Sequence, residues 1–231
     1  NITYKRHVAD EGTDEWDFIG SPVIGQDLQN LIDNNSTLAT NGSQVAIGVF
    51  NNNANADTAV AMYTNYNTTG NSGTTLVSGQ GFAMATDEGS TTATVDFTGT
   101  INTSDVSFAI DDASSSNTNF GKWNLVANPF PSFLNANDDA DNTNNFLTVN
   151  ASNLHTSFAA IYAYDGDGTF TAVNHTNPGS AVYIAPGQGF FVASDDVSGD
   201  SVSFTEAMQT SSGTDDFISG DNMENTEVVI K

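Results

Sequence analysis

Apolar and polar residues alternate along most of this chain in short runs bounded by Gly, Asn, Asp, Ser or Pro, a period that places half-buried β-strands rather than helices. The first half offers VAIGVF from Val45, AVAMYTNY, QGFAMAT, ATVDFTGTI and VSFAI. The second offers FAAIYAYD, FTAV, AVYIA, QGFFVAS and SVSFTEAM. WDFIGSPV and WNLVANPF each carry a Trp and alternate apolar residues into a Pro, which has no N–H to donate to a ladder, so each predicts a strand running into a corner. ITYKRHV and EVVIK read as strands at the two limits of the chain. Only GQDLQNLIDN departs from this period: Leu28, Leu31 and Ile32 stand at i, i+3 and i+4, which predicts a short helix capping an open end of the core.

The runs occur in two series. Trp16 and Trp123 open similar blocks, and the same spacing, within one residue, separates GQGFAMATDE at Gly79 from GQGFFVASDD at Gly187 and VDFTGTI at Val95 from VSFTEAM at Val202. VAIGVF matches AAIYAY with a wider offset, so the second series carries an insertion near NDDADNTNN. Blocks in matching order predict an all-β chain of two tandem β-sandwich or jelly-roll-like modules related by internal duplication, residues 1–112 and 113–231. In both series GQGF joins one strand to the next, its glycines allowing positive φ or close backbone approach. A dinucleotide fingerprint would need a third glycine and a following helix, whereas FAMAT and FFVAS are strand-like. By the same logic Trp16 and Trp123 read as core anchors rather than sugar platforms.

Charge narrows the partners. Four Lys and Arg stand against 28 Asp and Glu, giving a net charge of −24. Such a surface repels phosphates and anionic headgroups, so nucleic acid and membrane surfaces are excluded as partners, and no run approaches the ~20 apolar residues of a membrane span. With no cysteine in the chain, disulfides and thiolate ligation are excluded too. Beginning at Asn1 without a leader pattern, the sequence reads as a mature segment whose targeting signals lie outside it.

KWNLVANPFPS followed by YIAPGQGFFVASDD, with YKRHV and EWDFIGSPV upstream, resembles the repeated β modules of large secreted and surface proteins of Bacteroidetes, Flavobacteria above all, which are exported by type IX secretion. The resemblance covers nearly the whole chain and implies an extracellular, cell-surface address. It also implies O-glycosylation at Asp-Ser/Thr followed by a small or aliphatic residue, matched by Thr58 in Asp57-Thr58-Ala59 and by Ser201 in Asp200-Ser201-Val202.

Catalytic sets are scarce. The histidines are His7, His155 and His175, and no G-x-S-x-G elbow occurs, which argues against a serine hydrolase. Adjacent carboxylates carry little information in so acidic a chain. Neither a catalytic nor a cofactor-binding residue is assigned, and the chain reads as a non-enzyme. Calcium is the one metal considered: Asp165 and Asp167 in DGDG, and Asp138, Asp139 and Asp141 in NDDADN, gather hard oxygen ligands in loops, while the same residues equally make hairpin turns and solvated loops.

Two functions follow as expectations. The first is a non-catalytic structural or adhesive module of a surface protein or filament, whose terminal strands pair with neighbouring modules or with copies of itself. The alternative is a carbohydrate-binding accessory module of a secreted polysaccharide-degrading enzyme, with extracellular polysaccharide as partner. That reading requires exposed aromatics such as Tyr63, Tyr66 and Tyr164 to share one stacking patch.

Overall fold

The computed structural model describes residues 1–10, 16–56, 58–89, 94–164, 168–175, 180–197 and 199–213, and the backbone of 227–230. The alternating runs become β1 (Ile2–His7), β2 (Asp17–Ile19), β3 (Thr40–Asn41), β4 (Gln44–Phe50), β5 (Tyr63–Asn67), β6 (Phe82–Met84) and β7 (Thr94–Gly99), with α1 (Leu28–Asn34) between β2 and β3. They continue as β8 (Val106–Ile110), β9 (Trp123–Ala127), β10 (Phe133–Asn135), the single turn α2 (Phe146–Val149), β11 (Ile161–Tyr164), β12 (Phe170–Val173), β13 (Tyr183–Ile184), β14 (Gly189–Ala193), β15 (Asp200–Phe204), β16 (Gln209–Thr210) and β17 (Glu227–Ile230). The fold is all-β. Two of the long runs divide: the first part of AVAMYTNY closes into a 3-10 turn at Val60–Met62 before β5 begins, and SVSFTEAM leaves β15 for a 3-10 turn at Glu206–Met208.

One strand order occurs twice. In the first half β2 pairs β6, β6 pairs β4, and β5 and β3 share the far edge of β4; in the second half the order is β9-β14-β11-β12, every pair antiparallel. The registers agree as well. Ile19 faces Phe82 as Val126 faces Phe190, Phe18 faces Ala83 as Leu125 faces Phe191, and Gly48 faces Ala83 as Tyr162 faces Phe191. Opposite each of these sheets lies a second antiparallel pair, β1-β7 in the first half and β15-β8 in the second.

Strand alternation fills a separate core in each half. Tyr4, Val95 and Phe97 of β1 and β7 meet Ile19, Val45, Ile47, Phe82 and Met84, with Leu28 and Leu31 of α1 over the open end as expected. In the second half Ile110, Val202 and Phe204 meet Val126, Ile161, Phe190 and Val192, with Phe146 and Leu147 of α2 in the corresponding place. Ile110 belongs to β8, which the sequence boundary at residue 112 assigns to the first module. Its strand pairs β15 and its side chain enters the second core, so β8 packs with the later strands rather than with β1 to β7.

Each capping helix ends on a buried asparagine that stands in for a missing strand. Asn35 donates from Nδ2 to the Leu31 and Asp96 carbonyls and accepts from the Asp96 N–H at 2.7 Å; Asn150 donates to the Phe146 and Ser203 carbonyls and accepts from the Ser203 N–H, also at 2.7 Å. Both satisfy backbone groups on the edge of β7 or β15 that would otherwise be buried without partners.

The halves meet back to back, and the repeated GQGF block makes the junction. The N–H of Gly20 donates to the Gly187 carbonyl at 2.8 Å, and in return the N–H of Ala127 donates to the Gly79 carbonyl at 2.9 Å. Gly79 and Gly187 turn at φ +87° and +69°. A Cβ on Gly81 would lie 2.7 Å from Leu125 Cγ, and one on Gly189 would lie 2.8 Å from Phe18 Cβ. Gly81 therefore admits β9 and Gly189 admits β2, a reciprocal arrangement of the kind found at two-fold interfaces.

The terminal strands pair with each other. Ile2 to Lys5 run antiparallel to Ile230 to Glu227, so β1 has β17 on one side and β7 on the other.

Candidate functional site

Beside the back-to-back junction the two inner sheets part, leaving a cleft of about 420 Å³. Its walls carry eight aromatic residues and Ala59. Phe50 and Tyr63 come from the first half; Phe120, Trp123, Phe158, Tyr162, Phe170 and Phe191 come from the second. Strand parity puts them there. Phe190 faces the second core, so Phe191 faces the junction; Ile161 faces the core, so Tyr162 faces the cleft.

The rings support one another. Phe191 lies edge-on to Phe18 and Phe50, with centroids 5.1 and 4.8 Å apart, Tyr63 lies edge-on to Phe50 at 5.3 Å, and Trp123 lies edge-on to Tyr162 at 4.9 Å. Phe158 and Phe170 stand at the mouth, 38% and 49% exposed, large apolar faces left to solvent. Trp16 and Trp123 are both half-buried against the cluster of Phe18, Ala83, Leu125 and Phe191, so neither is enclosed in a core, and Trp123 also lines the cleft. Trp16 packs, partly buried, over Ala39, Ala46 and Ala85.

Two loops that frame the cleft are stapled by amides. The buried Asn117 donates to the carbonyls of Ala54 and Ala56, both at 2.9 Å, and its Oδ1 accepts from the Phe120 N–H. Asn52 donates to the Asp111 carboxylate at 2.8 Å and to the Gly121 carbonyl at 3.1 Å. The cleft is thereby held open in advance of any ligand.

Polar groups at the cleft are few. The hydroxyls of Tyr63 and Tyr162 have no hydrogen-bond partner among the described residues, and burial pushes both above the ordinary tyrosine pKa; at Tyr63 the neighbouring Tyr164 adds to the effect. Lys122 Nζ lies 5.8 Å from the centre of the Phe158 ring, and the His155 ring lies 4.8 Å from it on the same mouth. Among the described residues no Ser, Asp, Glu or His lines the walls.

Of the aromatics singled out in sequence, Tyr63 lines the cleft and Tyr164 stacks beside it on Phe18 and Phe170, at 5.2 Å from each. Tyr66 does not join them; it packs toward the first core against Phe82. Phe50, Phe120, Phe158, Tyr162, Phe170 and Phe191 were not singled out, although FFVA and IYAY show apolar residues at both parities, the sign of strands covered on both faces.

The acidic loops lie elsewhere. Asp138 accepts from Thr148 Oγ1 at 2.8 Å, His175 Nδ1 at 3.0 Å and Asn145 Nδ2 at 3.1 Å, contacts that lower its pKa. Asp141 accepts from the N–H groups of Asn144 and Thr143, which lower its pKa likewise. Asp139 is exposed in the same turn, and among the described residues no three acidic or histidine side chains gather as a metal site. Asp165 and Asp167 lie outside the described residues. Thr58 is exposed in the loop before the 3-10 turn, with Asp57 outside the described residues, and Ser201 is half-buried within β15, opposite Ala109.

A model of a protein family described as Domain of unknown function (DUF8693) matches residues 1–230. No curated protein and no solved structure matches the chain.

Proposed function

The chain belongs to that family of unknown function, and from this premise, with no activity to carry over, we propose that it is a non-catalytic carbohydrate-binding module of a secreted, cell-surface protein. The single observation that carries the reading is the convergence of eight aromatic residues from both halves on one open cleft of about 420 Å³. That volume falls within the about 300–1,000 Å³ spanned by small-molecule sites. Flat rings suit the C–H face of a pyranose, which lies against an aromatic face without leaving polar groups unpaired, and the tyrosine hydroxyls remain to bond the sugar's oxygens. We further infer that the chain is a duplicated β-sandwich whose two copies have diverged. The common strand order, the common register and the paired asparagines support this.

The filament reading has less support. A strand added to β1 would have to displace β17 or β7. The resemblance to type IX secreted modules supports the extracellular address independently of the ligand.

Tryptophan fluorescence tests the cleft directly. In a Trp16→Phe variant Trp123 is the sole tryptophan, and polysaccharide binding is expected to shift its emission. Trp123→Ala is expected to abolish retardation in polysaccharide-containing gels while leaving the far-ultraviolet circular dichroism intact. A chain that no member of a polysaccharide panel retards, and whose Trp123 emission never responds, would refute the proposal.

A further inference from the structure

Lys122 is conspicuous for what does not surround it. Of the four cations, Lys5 is paired with Asp96 at 3.1 Å, Arg6 is buried, and Lys231 lies outside the described residues. In a chain with 28 carboxylates a cation meets an acidic partner easily, yet the Lys122 ammonium has none among the described residues and is placed instead over the Phe158 ring at the cleft mouth. Its base is fixed: the Lys122 carbonyl accepts from the Ser194 N–H at 2.9 Å and from Asn124 Nδ2 at 3.1 Å, at the residue before Trp123. His155 adds a second donor at the same ring. Its Nδ1 accepts from the Ser157 N–H at 3.0 Å, which leaves the proton on Nε2. The corresponding residue before Trp16 is Glu15, so the two copies carry opposite charge at this position.

We propose, resting on the carbohydrate reading of the cleft, that its ligand is an anionic glycan. A pyranose ring stacks on the aromatic wall and its negatively charged substituent pairs with Lys122. The net charge of −24 opposes a polyanion only at long range. With a screening length of about 8 Å at 0.15 M salt, the contact pair at Lys122 decides which sugar stays.

The test is titration of the full chain at 0.15 M salt, read through tryptophan emission, with three oligosaccharides of equal length: a neutral glucan, an oligouronate and a sulfated glucan. The oligouronate is expected to bind roughly five-fold more tightly than the glucan, the scale of one partly exposed ion pair. Lys122→Met is expected to remove that gap, and Lys122→Arg to keep it. Sulfated glucan binding as tightly as the oligouronate would support recognition of charge itself; oligouronate alone binding tightly would support recognition of the carboxylate. Equal affinity for neutral and anionic sugars, or a gap that survives Lys122→Met, overturns the proposal while the cleft reading stands. Failure of all three sugars to bind removes the cleft reading and this inference with it.

Discussion

The outward faces of the two inner sheets differ where their cores do not. At equivalent registers the first sheet presents Gly48 and Ala83, and the second presents Tyr162 and Phe191. Inside, the same comparison gives Ile47 with Ile161 and Phe82 with Phe190, all fully buried. Cores constrain volume, so equivalent positions stay alike; a face that meets a different surface can diverge toward complementarity. Here the small face of one sheet receives the large rings of the other. The surplus of rings on the second sheet extends past the junction and becomes the cleft wall. Trp16 and Trp123 differ in the same way: both pack on the junction cluster, but Trp16 also covers Ala39, Ala46 and Ala85 while Trp123 lies among Phe158 and Tyr162.

The largest effects should confirm the likeness of the cores. Phe82→Ala and Phe190→Ala are each expected to cost about 3–5 kcal/mol in urea denaturation, since both rings are fully buried at equivalent registers. A near-neutral result at either position would break the equivalence.

A smaller effect should sharpen the difference between the faces. Ala83→Phe places the second sheet's residue on the first sheet's small face and is expected to cost about 1–3 kcal/mol by overpacking against the junction rings. Combined with Phe191→Ala, which vacates the space, it should cost less than the two single changes added together, because the sites share one cluster. Strict additivity would show that the faces do not interlock.

The smallest effect is a matter of pH. Burial holds the Tyr63 hydroxyl above its ordinary value of 10.0 in the folded chain. Below about pH 10 both folded and unfolded chains keep the proton, and Tyr63 makes no difference. Above it the unfolded chain releases the proton first, so stability falls as pH rises. Tyr63→Phe should lessen the loss of stability as pH rises above about 10. In the native chain, ultraviolet absorbance should show Tyr63 ionising late. Tyr63 ionising with freely exposed tyrosine would mean that its wall of the cleft is open to bulk water.

The sequence by itself determined the strands, the helix α1 and the two series, because period, Pro corners and glycine turns are local instructions that hold wherever the segment ends up. Two of its repeated blocks meet similar partners: Phe82 faces Ile19 as Phe190 faces Val126, and the VDFTGTI and VSFTEAM runs each form one strand of an antiparallel pair. Only tertiary structure decided that VSFAI belongs with the second core, because a strand's partner depends on which open sheet edge it meets and not on its own pattern. Asn35 and Asn150 were invisible as a pair for a similar reason: their role is to satisfy the backbone of a strand about 50 to 60 residues away along the chain, and no local signal marks such a bond. The cleft was the least legible feature of all. Alternation shows that a residue leaves one core; whether it then meets water, a second sheet or a gap between sheets depends on how the two sheets come together, and that is how Phe191 both packs in the junction and lines the opening beside it with Tyr162 and Trp123.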